Sequence, residues 1–435
     1  MCLSGTKANP NTIYASTVND WTNFEETDSE LSAFQFTMQS DTSDGVRWMA
    51  AEKGLLVGTA TSETIITGAS GKGGFSATNI MVEPQTHFGS APIQPAKAAN
   101  TLFFVEEGGR RIRSVVYSLE RDKFLASNMS LLSDHLFNDT FFHAIRRIDF
   151  TRNPDTALIA LRADGTLAYF VYDEEQKVAG WSWVELGGPG PRNGGKADVV
   201  DFGTNNGPYG DSVYFIVDRS TAVPKHALEV MDPVGSILQF GSNSGERNVT
   251  FLDSQSTILD STGKERYQDT DLHVVEHYTE RRLPRSEYTL SGGKVTIKNS
   301  TVGAYSVGYG IDVTLEPTDM VKPYDFGPIR STPMLNLYLY QSSFPNIYVN
   351  GHKTDSQYYR GDSDKYNTGT NQDGDPVFGQ DIESTGYEFY PANGPYKITA
   401  NPGYKESISM RFESSNHLPL TILAVGLDQP NVGDE

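Results

Sequence analysis

The sequence has very little cysteine: Cys2 is the only one in 435 residues. An intramolecular disulfide needs two cysteines, so cross-linking within the chain is excluded. The same scarcity excludes every cysteine-rich metal motif, including the four-cysteine zinc sites. We therefore expect a protein that is made in a reducing cytoplasm and whose stability comes from packed cores.

Long apolar runs are also missing. The most apolar stretch, Leu418–Leu427, is ten residues long and contains Pro419, whereas a membrane helix needs about 20 residues. Residues Met1–Gly5 have neither the basic nor the apolar segment of a signal peptide. The sequence therefore predicts no stable membrane insertion.

Basic residues are in the minority, with 35 Lys and Arg against 55 Asp and Glu, for a net charge of −20. That balance argues against a protein that grips DNA or an anionic membrane through a broad basic face. Hydrophobic residues make up 37% of the chain, which is enough for packed cores. At roughly 150 residues per domain, the length predicts two or three domains.

Most of the sequence has the pattern of β-strands separated by turns. Short runs rich in β-branched and aromatic residues alternate with turn residues, and the chain contains 41 Gly and 22 Pro. Asp164-Gly165 predicts a hairpin with a two-residue turn, and Gly292-Gly293 predicts a second hairpin within 288–297. Ser127–Phe137 is the exception: apolar residues at 129, 132 and 136 have helical spacing, so we expect a short helix near 128–137.

The fold class predicted from these signals is mainly all-β. We expect a propeller-like platform domain over 1–232 and an irregular β insertion with a hairpin over 233–300. A C-terminal β domain over 301–435 follows, with a long polar loop at 354–382. The smaller domains are expected to be sandwich-like or barrel-like.

No catalytic, cofactor-binding or metal-binding residues are predicted. Gly68–Gly74 lacks the Ser or Thr that follows Lys in a phosphate loop. His273, Glu276 and His277 have the order of a zinc-peptidase motif, but the β-branched Val274-Val275 pair favours a strand over the helix that two ligands at this spacing need. Asn371, Asp373 and Asp375 lack the spacing of a calcium-binding EF-hand loop.

A set of segments in constant order resembles the tail nozzle proteins of podoviruses, also called tail tubular protein B. The resemblance is carried in the N-terminal half by Gly5–Ser16, Asp20–Phe24, Leu55–Thr59, Phe103–Tyr117, Asn128–Leu136, Leu161–Leu167, Val171–Trp181, Asp211–Arg219 and His226–Glu229. It continues more loosely through Gly292–Ile297, Val307–Tyr309 and Leu418–Ala424. The chain lacks the longer N-terminal portion that family members carry before Gly5, which fits either a naturally short member or a truncated one.

The resemblance implies a structural, non-enzymatic virion protein of a short non-contractile tail. In that family a homohexameric ring forms a tube, the tail adaptor and tail fibres are its partners, and genomic DNA leaves through the bore without specific binding. The family has no defining catalytic residues and no cofactor. The alternative function is a β-propeller glycan hydrolase or a glycan-binding adhesin that acts on host surface polysaccharide. A hydrolase stays possible from the sequence because two carboxylates that are distant in the chain can form a glycosidase pair. An adhesin would expose aromatic side chains such as Tyr358 and Tyr359.

Two sets of charged residues are candidates for a functional role in such a tube. For each set, the alternative is ordinary surface charge in contact with solvent. The acids expected to face the channel are Asp362, Asp364, Asp373, Asp375, Asp381 and Glu383. The basic residues expected at subunit or adaptor contacts are Arg110, Arg111, Arg113, Arg146 and Arg147. An acidic wall repels DNA over the Debye length of about 8 Å at physiological salt, so the duplex stays mobile.

Overall fold

The computed structural model of the chain is almost entirely β, as the sequence predicts. It has 32 β-strands and one short 3-10 helix among the residues that it describes. The described residues are all except 28, 30, 39–44, 69–73, 99, 138–143, 153–155, 174–175, 177, 193–194, 208–209, 220–225, 232–250, 259–261, 266, 269–271, 277–281, 299–303, 320–333, 355–357, 360–391, 401–406, 416, 418 and 429–435. In this described part, no helix has the length and apolarity that crossing a bilayer takes.

The chain divides into two compact units. The first comprises Met1–Glu185, Asp198–Val217 and Leu228–Pro233, and the second comprises Leu186–Ala197, Asp218–Ala227 and Val234–Glu435. The domain boundaries predicted at 232 and 300 stay predictions, since residues 232–250 and 299–303 lie outside the described part of the chain.

Five sheets account for the described strands of the first unit, and in each sheet the strands follow one another in chain order. The first sheet is β1 (Cys2–Ser4), β2 (Thr12–Ala15) and β3 (Phe34–Thr37). The second is β4 (Val46–Ala51), β5 (Leu55–Thr59), β6 (Glu63–Gly68) and β7 (Ile80–Thr86). The third is β8 (Ala96–Ala98), β9 (Thr101–Val105), β10 (Ile112–Ser118) and β11 (Lys123–Asn128). The fourth is β12 (Ile145–Thr151), β13 (Ala157–Arg162), β14 (Leu167–Asp173) and β15 (Val178–Val184), and the fifth is β16 (Asp198–Gly207), β17 (Gly210–Asp218) and β18 (His226–Met231).

The first four sheets of the first unit pack against each other through separate apolar cores. Ile13 and Val57 belong to the core between the first and second sheets. Leu56 and Phe104 belong to the core between the second and third, and Phe103 to the core between the third and fourth. Adjacent residues of a strand point to opposite faces of the sheet. A central strand that is buried on both faces therefore has apolar residues at consecutive positions. The second, third and fourth sheets each have four strands and follow one another in chain order, which is also the pattern of propeller blades. Closure into a ring stays a prediction.

The hairpin at Asp164-Gly165 is present, but its turn differs from the predicted one. Arg162 N–H donates to the Thr166 carbonyl oxygen at 2.9 Å, so the loop has three residues rather than two. Only Gly165 needs a positive φ, of 76°, and the Asp164 carboxylate accepts from the Thr166 N–H at 3.0 Å. A three-residue loop with glycine at its last position matches the strand twist equally well.

The predicted short helix is a 3-10 helix over Leu131–Leu136, interrupted by non-helical dihedrals at Ser133. Met129 and Leu136 pack against the core between the third and fourth sheets, as their spacing predicts. Leu132, however, is 95% exposed. The predicted apolar face is wrong at this residue because the interruption at Ser133 prevents a regular helical face from forming.

The described residues of the second unit form two further apolar cores, each between two sheets. The first lies between sheet β19-β24-β21 and sheet β20-β23-β22 and includes Val274, Val295 and Val307. The strands are β19 (Asp253–Ile258), β20 (Thr262–Glu265), β21 (Leu272–Glu276), β22 (Tyr288–Ser291), β23 (Lys294–Ile297) and β24 (Tyr305–Tyr309). The predicted hairpin joins β22 to β23 with Gly292 and Gly293 both at positive φ, the geometry of a two-residue type I′ turn.

The other core of the second unit belongs to a C-terminal β-sandwich. Its sheets are β25-β31-β27-β28 and β29-β30-β26-β32. Their strands are β25 (Val313–Leu315), β26 (Met334–Ser342), β27 (Asn346–Val349), β28 (His352–Lys353), β29 (Tyr358–Tyr359), β30 (Ala392–Thr399), β31 (Met410–Ser414) and β32 (Ile422–Asp428). Leu337 and Ile398 of one sheet share this core with Ile347 and Phe412 of the other. The structure therefore agrees with an all-β, multi-domain fold.

Candidate functional site

The acids predicted to face a channel are not among the residues that the structure describes. Asp362, Asp364, Asp373, Asp375, Asp381 and Glu383 all fall within residues 360–391. The predicted channel-facing set therefore stays a prediction.

The five predicted arginines lie on neighbouring elements of the third and fourth sheets. Arg110 and Arg111 are in the turn from β9 to β10, Arg113 is on β10, and Arg146 and Arg147 are on β12. Ile145 N–H, at the start of β12, donates to the carbonyl oxygen of Gly109 at 2.9 Å, so β12 begins beside that turn.

Arg113 is an internal residue rather than a surface one. It is only 9% exposed, and its Nε donates to Glu106 Oε2 at 2.7 Å. Its guanidinium lies 3.4 Å from the centroid of the Phe88 ring, and Arg111 approaches the other Glu106 oxygen at 3.5 Å. Removing one partner of a buried ion pair leaves an uncompensated charge, so Arg113 contributes to the stability of this region.

Arg147 pairs across the junction of the fourth and fifth sheets. Its Nη1 lies 3.1 Å and 3.2 Å from the two carboxylate oxygens of Asp201 on β16. On the same two strands, Asp149 Oδ2 accepts from the Thr204 N–H at 3.0 Å. An ion pair and a hydrogen bond therefore link β12 to β16.

Arg146 owes its exposure to a β-bulge. The pairing of β12 with β13 shifts between Ile145 and Arg147, so Arg146 has no partner in the register. In a regular strand consecutive side chains point to opposite faces, and a bulge changes that alternation. Arg146 and Arg147 are consequently both exposed, and this local geometry gave no signal in the sequence.

Two residues of the histidine motif lie in a strand. His273 and Glu276 belong to β21 (Leu272–Glu276), all of whose residues are buried, and His277 is outside the described residues. The strand predicted from the Val274-Val275 pair is therefore confirmed. Among the described residues no group of three or more His, Cys, Asp or Glu side chains is arranged to hold a metal ion.

Cys2 lies on β1 and its side chain is partly buried. Burial raises the pKa of the Cys2 thiol above its ordinary value, which favours the protonated form. Residues 69–73 of the glycine-rich turn, and Asn371, Asp373 and Asp375, are outside the described residues.

Comparison with known proteins gives no family assignment. No protein-family model matches the chain, and no curated protein matches it. Among solved structures, a protein from Lactobacillus plantarum is 10% identical with a TM-score of 0.21, over 67% of this chain and 96% of its own. A GH31 alpha-xylosidase from Xanthomonas citri is 11% identical with a TM-score of 0.12, over 88% of this chain and 35% of its own. At these TM-scores neither likeness carries an argument about function.

Proposed function

We propose that the chain is a structural, non-enzymatic component of a short non-contractile phage tail, where copies of it form the nozzle through which the genome is ejected. In this proposal it acts in the virion, after synthesis in the host cytoplasm, as a homohexameric ring. Its partners are the tail adaptor and the tail fibres, and DNA passes through it without specific binding. The proposal needs no cofactor and no catalytic residue.

The observation that carries the proposal is the order of the nozzle-like segments along successive sheets of the first unit. Leu55–Thr59 is β5, Phe103–Tyr117 covers the second half of β9 and most of β10, and Leu161–Leu167 is the hairpin between β13 and β14. Asp211–Arg219 covers most of β17. The segments therefore fall on strands or hairpins of four successive sheets, as is expected when a resemblance reflects a shared architecture.

The acidic balance of the chain, a net charge of −20, supports a conduit for DNA. B-DNA carries about one negative charge per 1.7 Å, so a basic bore would retain it through counterion release. We propose that the six acids from Asp362 to Glu383 line the channel and repel the duplex.

Arg146 and Arg147 are the proposed contact with a neighbouring subunit or the adaptor. The bulge exposes both side chains at one edge of the fourth sheet. A ring requires heterologous contacts that close, so an exposed basic site on one copy needs an acidic site on the next.

The ring itself is tested by light scattering and negative-stain imaging of the purified chain, alone and with the tail adaptor. We expect rings with a central opening, at least when the adaptor is present. A chain that stays monomeric under both conditions would contradict the nozzle proposal.

The channel assignment is tested by changing the five aspartates to Asn and Glu383 to Gln in the phage. Ejection should slow, because the wall no longer repels DNA. The matched control neutralises Asp20, Glu25 and Glu26, which lie in the first unit. An unchanged ejection rate and infectivity in the six-acid variant would refute the assignment.

A further inference from the structure

The outer face of the sheet β29-β30-β26-β32 carries two exposed tyrosines on its central strand, β26. Leu335, Leu337 and Leu339 point into the sandwich core, whereas Tyr338 and Tyr340 are 45% and 50% exposed. Residues two apart on a strand are separated by about 6.6–6.8 Å, so the two side chains stand side by side on one face. Within the described part of the chain, neither phenol hydroxyl has a hydrogen-bond partner.

Small residues flank Tyr338 on both neighbouring strands. Pro395 of β30 and Ala424 of β32 are its partners in the register. One step along the face, Asn336 lies between Lys397 and Gly426. Because no long side chain on either adjacent strand stands directly opposite Tyr338, its ring stays accessible to a ligand lying across the sheet.

A β-bulge adds a third apolar side chain to the same region. The pairing of β26 with β32 passes from Ala424 to Ile422 between Tyr338 and Leu339, so Leu423 has no register partner. Leu423 is 65% exposed. Bulges occur often at binding sites because they redirect a side chain, and this one turns Leu423 into solvent next to the tyrosine pair.

The chemistry of this face matches a saccharide chain. A pyranose ring has an apolar face of C–H groups with positive partial charge, which is attracted to the negative face of an aromatic ring. Its hydroxyl rim needs both donors and acceptors. The Asn336 amide supplies both kinds of group, and the ammonium of the exposed Lys397 supplies three donors.

We propose that this face of the C-terminal sandwich binds a polysaccharide, with Tyr338 and Tyr340 each stacking on a sugar ring and with Asn336 and Lys397 bonding to the hydroxyl groups. A polymer fits better than a monosaccharide, since the two tyrosines offer two stacking positions along one strand. The inference goes beyond the proposed function and does not depend on it, because it rests only on the surface of one sheet.

The test uses the full chain on an array of bacterial O-antigen, capsular and peptidoglycan-derived saccharides. Affinity electrophoresis in gels containing the polysaccharide with the strongest signal then measures binding. Tyr338→Ala and Tyr340→Ala should each weaken binding roughly three- to tenfold, the range that a lost aromatic contact implies. The corresponding Phe variants keep the rings and should retain most of the binding. Tyr214→Ala is the matched control, since Tyr214 is an exposed tyrosine (39%) on β17 in the first unit.

Three results would overturn the proposal. The first is that the wild-type chain is retained by no saccharide in either format. The second is that both alanine variants bind as the wild type does. The third is that the alanine variants change the oligomeric mass in light scattering, which would make this face a contact between copies. If an alanine variant fails to fold, Ala424→Arg takes its place, because a long side chain beside Tyr338 should block binding without removing a ring. Ring formation with no saccharide binding would leave the nozzle proposal standing and reject this one alone.

Discussion

Gly58 and Trp48 are cross-strand partners on β5 and β4, and the indole lies against the glycine backbone. A Cβ at Gly58 would overlap the indole ring, which is itself 3% exposed in the core between the second and third sheets. Glycine in a strand interior often marks such a close approach. The absence of a side chain at this position therefore serves the packing of Trp48 rather than a turn.

We expect Gly58→Ala to lower the free energy of unfolding by about 1–3 kcal/mol, since overpacking a filled core forces neighbouring groups to move. Gly180→Ala is the matched control: Gly180 is also inside a strand, β15, but a Cβ there meets nothing within 4 Å. Chemical denaturation of both variants measures the difference. Equal stability of the two would show that the Trp48 contact is not tight.

Glu63 is a buried carboxylate, 1% exposed, that collects hydroxyl donors from the segment after β6. Its Oε2 accepts from Thr86 Oγ1 at 2.5 Å, and its Oε1 accepts from Ser90 Oγ at 2.8 Å. Glu63→Ala should destabilise the protein by about 1–3 kcal/mol or more, because the buried Ser90 hydroxyl loses its acceptor. Thermal unfolding provides the measurement. Glu83→Ala, at an exposed position on β7, should change the melting temperature little.

At the scale of a single element, the 3-10 helix shows which buried residues the spacing of apolar residues predicts and which it does not. Met129 and Leu136 reach the core as expected, and the neighbouring Phe137 is fully buried with its ring 5.2 Å from the Trp181 ring. Leu132 has the same helical spacing yet faces solvent. A short apolar pattern predicts that an element packs on the core, but the dihedral break at Ser133 decides which residues do so.

Phe137→Ala should cost about 3–5 kcal/mol, the usual range for removing a buried aromatic side chain. Leu132→Ala should change stability by less than about 0.5 kcal/mol, as surface substitutions do. Both values come from urea denaturation of the full chain. A large loss in Leu132→Ala would mean that Leu132 is covered in solution, for instance by a second copy.

At the scale of the whole molecule, substitutions at Arg146 and Arg147 should affect the proposed assembly of copies without affecting the stability of the fold. The Arg147–Asp201 pair is about half exposed, and such pairs contribute about 0–1 kcal/mol. Arg146→Glu combined with Arg147→Glu should therefore leave the melting temperature nearly unchanged while reducing ring formation in light scattering. Normal assembly of this double variant would remove both residues from the proposed interface. Arg113→Glu is unsuitable for this purpose because its charge is buried beside Glu106.

The amino-acid sequence by itself determined that the protein is all-β. The alternation of apolar residues favours strands and the positions of glycine favour turns, and both effects depend only on residues that are close together in the chain. The Gly292-Gly293 turn is of this kind, since only local backbone geometry is involved. Tertiary structure alone decided that Arg113 is buried, that Arg146 sits in a bulge and that Tyr338 faces open solvent between Pro395 and Ala424. Each of these depends on which strands pair and in which register, and register is set by contacts between residues that are distant in the chain.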